Sequence, residues 1–178
     1  SGKVSELAGT APQQHIPKCM IHEAILNPSI SWWVLHSFMD RAEVQWTEHK
    51  FPIDGCSRIH MVWTDSPCMT TCWNDGYRFV KAMQSPEIEF IVAQHPWLEN
   101  DCLLADIILP TCTRYELEDI IEDSGNGVYS STYYENQVCP PVGESVPSVE
   151  AVSRIAKKLG PEYHTAYTQG ISLKEAVE

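Results

Sequence analysis

The chain of 178 residues is long enough for one ordinary domain with a buried core. It carries 12 Lys and Arg against 24 Asp and Glu, a net charge of −12 at pH 7, which argues against a nucleic-acid polymer or an anionic membrane as the partner. With 43% hydrophobic residues the chain is expected to be globular, and no apolar run approaches the roughly 20 residues of a membrane span.

The first elements of the chain are unevenly defined by its pattern. Residues 1–16 are small and polar, and we expect a linker or a cut end there. A helix is predicted from Pro17 and ends at Asn27-Pro28. Residues 29–54 leave two alternatives open, because the first half has helical spacing whereas residues 44–51 alternate like a strand.

The middle of the chain predicts a parallel sheet. Three short apolar segments are typical of strands: 59–63, 89–93 and 106–109. Helices are predicted between them, one that begins at Asn74 or Asp75 and a short one over residues 98–104. Alternating strands and helices favour right-handed crossovers. The expected fold class is therefore α/β, a three-layer domain over residues 17–160 with a mainly parallel sheet flanked by helices.

The last third of the chain contains an acidic run and a well-defined helix. The acidic residues are expected to form a solvated face: Glu116, Glu118, Asp119, Glu122 and Asp123. The helix is capped by Ser148 and ends at Gly160-Pro161. Its predicted buried side consists of Val149, Val152, Ile155, Ala156 and Leu159. Residues 161–178 are expected to lead towards a next domain.

Two predicted strands end in polar residues, and ligands of open α/β sheets bind beyond the carboxyl ends of strands. The two groups are Thr64-Asp65-Ser66-Pro67 and Gln94-His95-Pro96-Trp97. Hydroxyls, a carboxylate, an amide and an aromatic edge suit the base and ribose of a nucleotide. The alternative is a pair of ordinary turns, which composition alone favours because Asp, Ser and Pro are common in turns. The chain has no Gly-x-Gly-x-x-Gly and no Walker loop.

The cysteines and histidines predict no metal site in this chain. Seven cysteines include no Cys-x-x-Cys pair and no zinc-finger spacing. We expect reduced, mostly buried thiols in a reducing compartment. The seven histidines do not cluster in the sequence, and among them His95 stands out at the end of a predicted strand.

Five segments stand in an order that is informative as a set. They are 16–28, 51–67, 94–110, 115–120 and 140–145, of which the most specific is Ala-Asp-Ile-Ile-Leu-Pro at 105–110. Together they resemble the dimethyl sulfoxide reductase family of molybdenum enzymes over nearly the whole chain. The resemblance implies an internal domain of a longer oxidoreductase catalytic subunit, in which two molybdopterin guanine dinucleotides hold one Mo or W ion.

The resemblance also implies site residues and partners. It places at the cofactor Thr64, Asp65, Ser66, Pro67, Gln94, His95 and Trp97. The metal ligand and the catalytic residues would lie outside this chain, beside sister domains and iron–sulfur clusters in a partner subunit or domain. The substrate would be a small molecule, a polyphenol or an S- or N-oxide. The expected location is cytoplasmic, or periplasmic for an S- or N-oxide reductase.

The chain departs from the family pattern at the same positions. The family's Gly-Gly-Asn-Pro turn has become Thr-Asp-Ser-Pro at 64–67, so a close approach of the backbone to a phosphate is less expected. An acidic residue usual at position 95 is His, and threonines usual at 99 and 101 are Glu and Asp. A non-catalytic α/β nucleotide-binding or interaction module is the alternative from another functional class.

Overall fold

The computed structural model describes residues 14–35, 46–123 and 131–171. Within these ranges the chain forms, in order, α1 (Ile21–Leu26), β1 (Ile30–Leu35), β2 (Trp46–Phe51), β3 (Met61–Thr64), α2 (Met69–Cys72), α3 (Gly76–Met83), β4 (Phe90–His95), β5 (Ile107–Pro110), β6 (Asp119–Asp123), β7 (Ser131–Glu135), α4 (Ser148–Leu159) and α5 (Pro161–Thr168). Among the described helices, none combines the length and the apolar character that a bilayer crossing requires.

A parallel three-stranded sheet in the order β3-β4-β5 confirms the α/β class. Strands β4 and β5 pair from Val92 opposite Ile107 to His95 opposite Pro110. Helices α2 and α3 connect β3 to β4, and a 3₁₀ turn over Asn100–Leu104 connects β4 to β5. Parallel neighbours require such crossover connections, because the end of one strand and the start of the next lie at opposite edges of the sheet.

Residues 29–54, where the sequence left helix and strand open, contain two strands. β1 and β2 pair antiparallel, from Ile30 opposite Phe51 to Leu35 opposite Trp46. The helical spacing of the first half was misleading, since its aromatic and β-branched residues suit a strand. Trp32 and Phe51 are buried together with Ala24 of α1. A second antiparallel pair, β6 with β7, follows the parallel sheet in the chain.

The chain divides into two compact units, residues 1–62 with 68–91 and residues 63–67 with 92–178. In the first unit α1 lies beside α3, and the ring of His22 packs on that of Phe79 with 4.8 Å between centroids. Helix α3 begins where the sequence predicted, because Asp75 caps it by accepting a hydrogen bond from the Arg78 N–H at 3.4 Å. The predicted domain boundaries at residues 17 and 160 stay a prediction.

Helix α4 of the second unit has the predicted extent but only part of the predicted burial. Ala151 and Ala156 are buried, whereas Val149, Ile155 and Leu159 are exposed. Helix α4 packs beside α5, which begins at Pro161 directly after Gly160. The small side chains at the buried positions are compatible with close approach of a neighbouring helix. Pro147, rather than Ser148, occupies the N-cap position.

Candidate functional site

The two polar groups predicted from the sequence lie at one edge of the parallel sheet. β3 ends at Thr64 and its neighbour β4 ends at His95. Because the strands are parallel, their carboxyl ends point to the same edge. Residues 64–67 and 94–97 therefore follow adjacent strand ends, and we refer to these two turns together as the carboxyl edge.

A hydrogen bond joins the two strands immediately before these turns. The indole N–H of Trp63 donates to Oε1 of Gln94 at 2.8 Å. Gln94 is only 5% exposed, so its amide lies inside the edge and connects the strands. Trp63 is a residue that the sequence did not assign to the site. Its position directly before a polar turn was the available signal.

The 64–67 turn presents some of its side chains and buries another. The N–H of Ser66 donates to the Thr64 hydroxyl at 3.2 Å, which closes the turn locally. Pro67 is buried, and its carbonyl accepts the N–H of Asp101 at 3.1 Å. Asp65 and Ser66 are exposed. The proline thus anchors the turn, while a carboxylate and a hydroxyl remain open to solvent.

The 94–97 turn is organised by one nitrogen of His95. Nδ1 lies 3.3 Å from the Trp97 N–H, which donates to it, and 3.2 Å from the Trp97 carbonyl oxygen. A ring nitrogen accepts when it is unprotonated and donates when it is protonated, so Nδ1 serves one of these groups at a time. The Trp97 side chain, two residues further along the chain, is 62% exposed.

A further segment of chain pairs with the carboxyl edge. The N–H of Thr111 donates to the His95 carbonyl at 3.4 Å, and Thr111 forms a parallel bridge with Val146. The N–H of Cys112 donates to the Val146 carbonyl at 3.1 Å. The backbone around Val146 thus pairs with the end of β5, and Thr111 connects it to His95.

The acidic run predicted as a solvated face contains a buried exception. Glu118 and Asp119 are exposed, and the side chains of Glu122 and Asp123 lie outside the described residues. Glu116, by contrast, is 6% exposed. The backbone N–H of Thr113 and then its hydroxyl lower the pKa of Glu116 below its ordinary value. The N–H of Val142 adds to this effect, and burial opposes it.

The cysteines also differ from the expectation. All seven lie in the described ranges as thiols, but only Cys102 and Cys112 are buried, and three are exposed: Cys19, Cys72 and Cys139. Burial raises the pKa of the Cys112 thiol, the neighbouring Glu116 carboxylate raises it further, and a hydrogen bond with Ser145 opposes both. Within the described part of the chain no group of three or more His, Cys, Asp or Glu side chains suits a metal ion.

The histidines, scattered in sequence, do not all remain apart. The rings of His15 and His49 lie 5.3 Å apart between centroids, and His49 stacks on Trp32 at 5.8 Å. This contact belongs to the first unit, whereas the carboxyl edge belongs to the second. The described residues add no third donor to these two rings, which therefore fall short of a structural zinc site with its four ligands.

The donor set at the carboxyl edge suits a nucleoside better than a phosphate. The side chains that solvent reaches are two hydroxyls, a carboxylate, an imidazole and an indole, and neither turn contains Lys or Arg. A carboxylate accepts hydrogen bonds from base N–H groups and ribose hydroxyls but repels a phosphate. The residues present therefore suit the base and ribose of a nucleotide better than its phosphates.

Comparison with known proteins decides the family. A family model described as molybdopterin oxidoreductase matches residues 19–158. The chain belongs to the molybdopterin oxidoreductase family. The resemblance seen in the sequence is thereby confirmed, and this membership implies a molybdopterin cofactor with Mo or W.

Curated relatives in this family are enzymes of several kinds. The pyrogallol hydroxytransferase large subunit of Pelobacter acidigallici is 31% identical over 165 residues, 86% of this chain and 19% of that protein. The trimethylamine-N-oxide reductase of Haemophilus influenzae is 34% identical over 104 residues, 58% of this chain and 12% of that protein. The dimethyl sulfoxide reductase of Escherichia coli is 29% identical over 119 residues, 66% of this chain and 14% of that protein. The chain spans 19% or less of the length of these three relatives.

Proposed function

We propose that the carboxyl edge binds the guanine nucleotide end of a molybdopterin guanine dinucleotide in the catalytic subunit of a molybdenum or tungsten oxidoreductase. The observation that carries this proposal is the meeting of two polar turns, 64–67 and 94–97, behind the Trp63–Gln94 hydrogen bond. Family membership supports the class of cofactor, and open α/β sheets bind nucleotides at this edge.

Five side chains of the edge would contact the nucleotide. Asp65 accepts hydrogen bonds from base N–H groups or ribose hydroxyls, and the hydroxyls of Thr64 and Ser66 donate or accept. His95 offers Nε2, because Nδ1 is engaged by Trp97. The exposed indole of Trp97 offers an aromatic face for a base.

The other two predicted site residues would act indirectly. Gln94 and Pro67 are buried, and each fixes the position of its turn through a hydrogen bond to another segment. When the cofactor is bound, its metal and dithiolenes supply the redox chemistry. The residues of the edge bind and orient its nucleotide. Because neither turn carries a cation, the pyrophosphate would be held by groups outside them.

For the whole enzyme we favour pyrogallol–phloroglucinol hydroxytransfer, with a cytoplasmic location and an iron–sulfur partner subunit. The supporting observation is the extent of the likeness, 86% of this chain for the hydroxytransferase against 58% for the trimethylamine-N-oxide reductase. Turnover of pyrogallol by the full-length enzyme is expected, without reduction of trimethylamine-N-oxide or dimethyl sulfoxide. The opposite pattern would assign the chain to an S- or N-oxide reductase.

Metal and nucleotide analysis tests the family chemistry against a non-catalytic nucleotide-binding or interaction module. The freshly purified full-length protein should contain Mo or W and should release guanine nucleotide on denaturation. Absence of both from active protein would overturn the proposal.

The site itself is tested by Asp65→Asn and His95→Ala in the full-length protein. Each removes one proposed contact, and loss of a charge-assisted hydrogen bond should lower guanine nucleotide retention on the order of tenfold for Asp65→Asn. Asp54→Asn and His60→Ala are matched controls, since both residues are exposed in the first unit. Full retention in both site variants would remove these residues from the site.

A further inference from the structure

Glu116 lies in the second unit, between β5 and β6, and its carboxylate accepts three hydrogen bonds. Oε2 accepts the N–H of Thr113 at 2.7 Å and the Thr113 hydroxyl at 2.8 Å. Oε1 accepts the N–H of Val142 at 2.9 Å. Among the described residues no Lys or Arg forms an ion pair with this carboxylate. The described donors that meet its charge are neutral N–H and O–H groups. Loss of these buried hydrogen bonds should destabilise the protein more than loss of an exposed ion pair.

The backbone carbonyls of Tyr115 and Glu116 also bind a longer stretch of chain, residues 137–146. The carbonyl of Tyr115 accepts the N–H groups of Val138 and Cys139 at 2.8 and 3.0 Å. The carbonyl of Glu116 accepts Nε2 of Gln137 at 3.2 Å. With the Val142 contact, four residues of the 137–146 segment are bonded to residues 115 and 116.

The 137–146 segment ends at the backbone that pairs with the carboxyl edge. The N–H of Val146 donates to the Pro110 carbonyl at 3.3 Å, and the Val146 carbonyl accepts the N–H of Cys112 at 3.1 Å. Between these two residues, the N–H of Thr111 donates to the His95 carbonyl at 3.4 Å. A continuous series of backbone hydrogen bonds therefore connects the segment that Glu116 holds to His95.

We infer that Glu116 is a positioning residue for the nucleotide site: by binding the 137–146 segment it sets the position of Thr111 and, through it, of His95 at the carboxyl edge. The inference rests on the proposed function of that edge. Glu116 touches neither turn itself. Among the described titratable groups, the Cys112 thiol interacts electrostatically with the Glu116 carboxylate.

The test is hydrogen–deuterium exchange of the full-length holoenzyme carrying Glu116→Gln. The amide keeps one acceptor oxygen, which can face either the two Thr113 donors or the Val142 N–H, and its NH₂ group accepts from neither. Exchange should accelerate on the order of tenfold in residues 137–146 and also at the amides of Thr111 and Trp97. Glu118→Gln, an exposed neutralisation two residues away, should leave both regions unchanged.

A pH series separates positioning from a purely structural role. In the wild type, exchange at Thr111 and Trp97, corrected for its intrinsic pH dependence, should rise as the pH falls through the lowered pKa of Glu116. The rise should be absent in Glu116→Gln. Loosening of residues 137–146 without any change at Thr111 and Trp97 would overturn the inference.

A milder variant keeps the test decisive if Glu116→Gln does not fold. Thr113→Val removes the hydroxyl donor but leaves the backbone N–H, and it should accelerate exchange at the edge amides in the same direction. Unchanged edge amides in folded Thr113→Val would also overturn the inference. Full nucleotide retention in Asp65→Asn and His95→Ala would remove these residues from the proposed site, whereas the exchange measurements test the coupling between Glu116 and the carboxyl edge independently.

Discussion

Two charged side chains, one in each compact unit, hold backbone segments that are distant in sequence. In the first unit Arg58 donates to the carbonyls of Ile25 and Asn27 at 2.8 and 3.1 Å and forms an ion pair with Glu87 at 3.0 Å. In the second unit Glu116 accepts from Thr113 and Val142. Arg58 has a counter-ion, whereas the charge of Glu116 is met by N–H and O–H dipoles.

The difference determines what can release each segment. A guanidinium remains charged at every working pH, so acid alone should not break the hydrogen bonds from Arg58 to the two carbonyls. A carboxylate loses its charge in acid, so the Glu116 contacts depend on pH. The two units should therefore respond differently to mutation and to acid.

The largest expected effect is that of Arg58→Met. It leaves the Ile25 and Asn27 carbonyls without their donor and should lower the free energy of unfolding of the first unit by about 3 kcal/mol. Urea unfolding monitored by hydrogen exchange in residues 14–35 measures it. Glu87→Gln, which removes only a half-exposed ion-pair partner, should cost about 0.5 kcal/mol or less. Equal losses in the two variants would show that the ion pair, not the carbonyl contacts, is important.

The next effect is the acid dependence of the second unit. The pKa of Glu116 is lower in the folded state than in the unfolded chain, so its stabilisation is complete above the ordinary carboxyl pKa. The stabilisation is lost as the pH falls through the lowered value. Thermal unfolding should thus show Glu116→Gln less stable than the wild type at pH 7, with the gap closing in acid. A gap that stays constant with pH would contradict the role of the charge.

The smallest effect is expected where neither partner is charged. Trp63→Phe removes the 2.8 Å bond to Gln94 and leaves a buried amide oxygen without that donor, at a cost of about 1 kcal/mol. Trp33→Phe, at a 61% exposed tryptophan of the first unit, is the control and should be nearly neutral. Thermal unfolding compares them. Equal stabilities of Trp63→Phe and Trp33→Phe would show that the Trp63–Gln94 hydrogen bond does not stabilise the carboxyl edge.

The sheet and its polar edge followed from the sequence because both depend on local pattern. Short apolar runs bounded by turn residues located β3, β4 and β5, and parallel pairing then brought residues 64–67 and 94–97 to one edge. The capped start of α3 at Asp75 was equally local. Such features need no knowledge of distant partners.

The missed features all depend on partners far along the chain. Glu116 has the sequence context of a solvated acid, and the donor that buries it, Val142, lies 26 residues away. The sequence places Trp63 at the end of a predicted strand but does not identify its partner, since Gln94 lies 31 residues away. The exposed apolar residues of α4 were predicted to be buried because periodicity identifies a helix face without identifying what covers it.

The position of Trp63 gives the protein an optical probe of its own site. Its indole N–H is bonded to the amide that joins the two strands, one residue before the 64–67 turn. A nucleotide arriving at that turn would change the polarity around the indole and therefore its emission. The fluorescence difference between the wild type and Trp63→Phe then isolates one of six tryptophans as a reporter of cofactor insertion, without any added label.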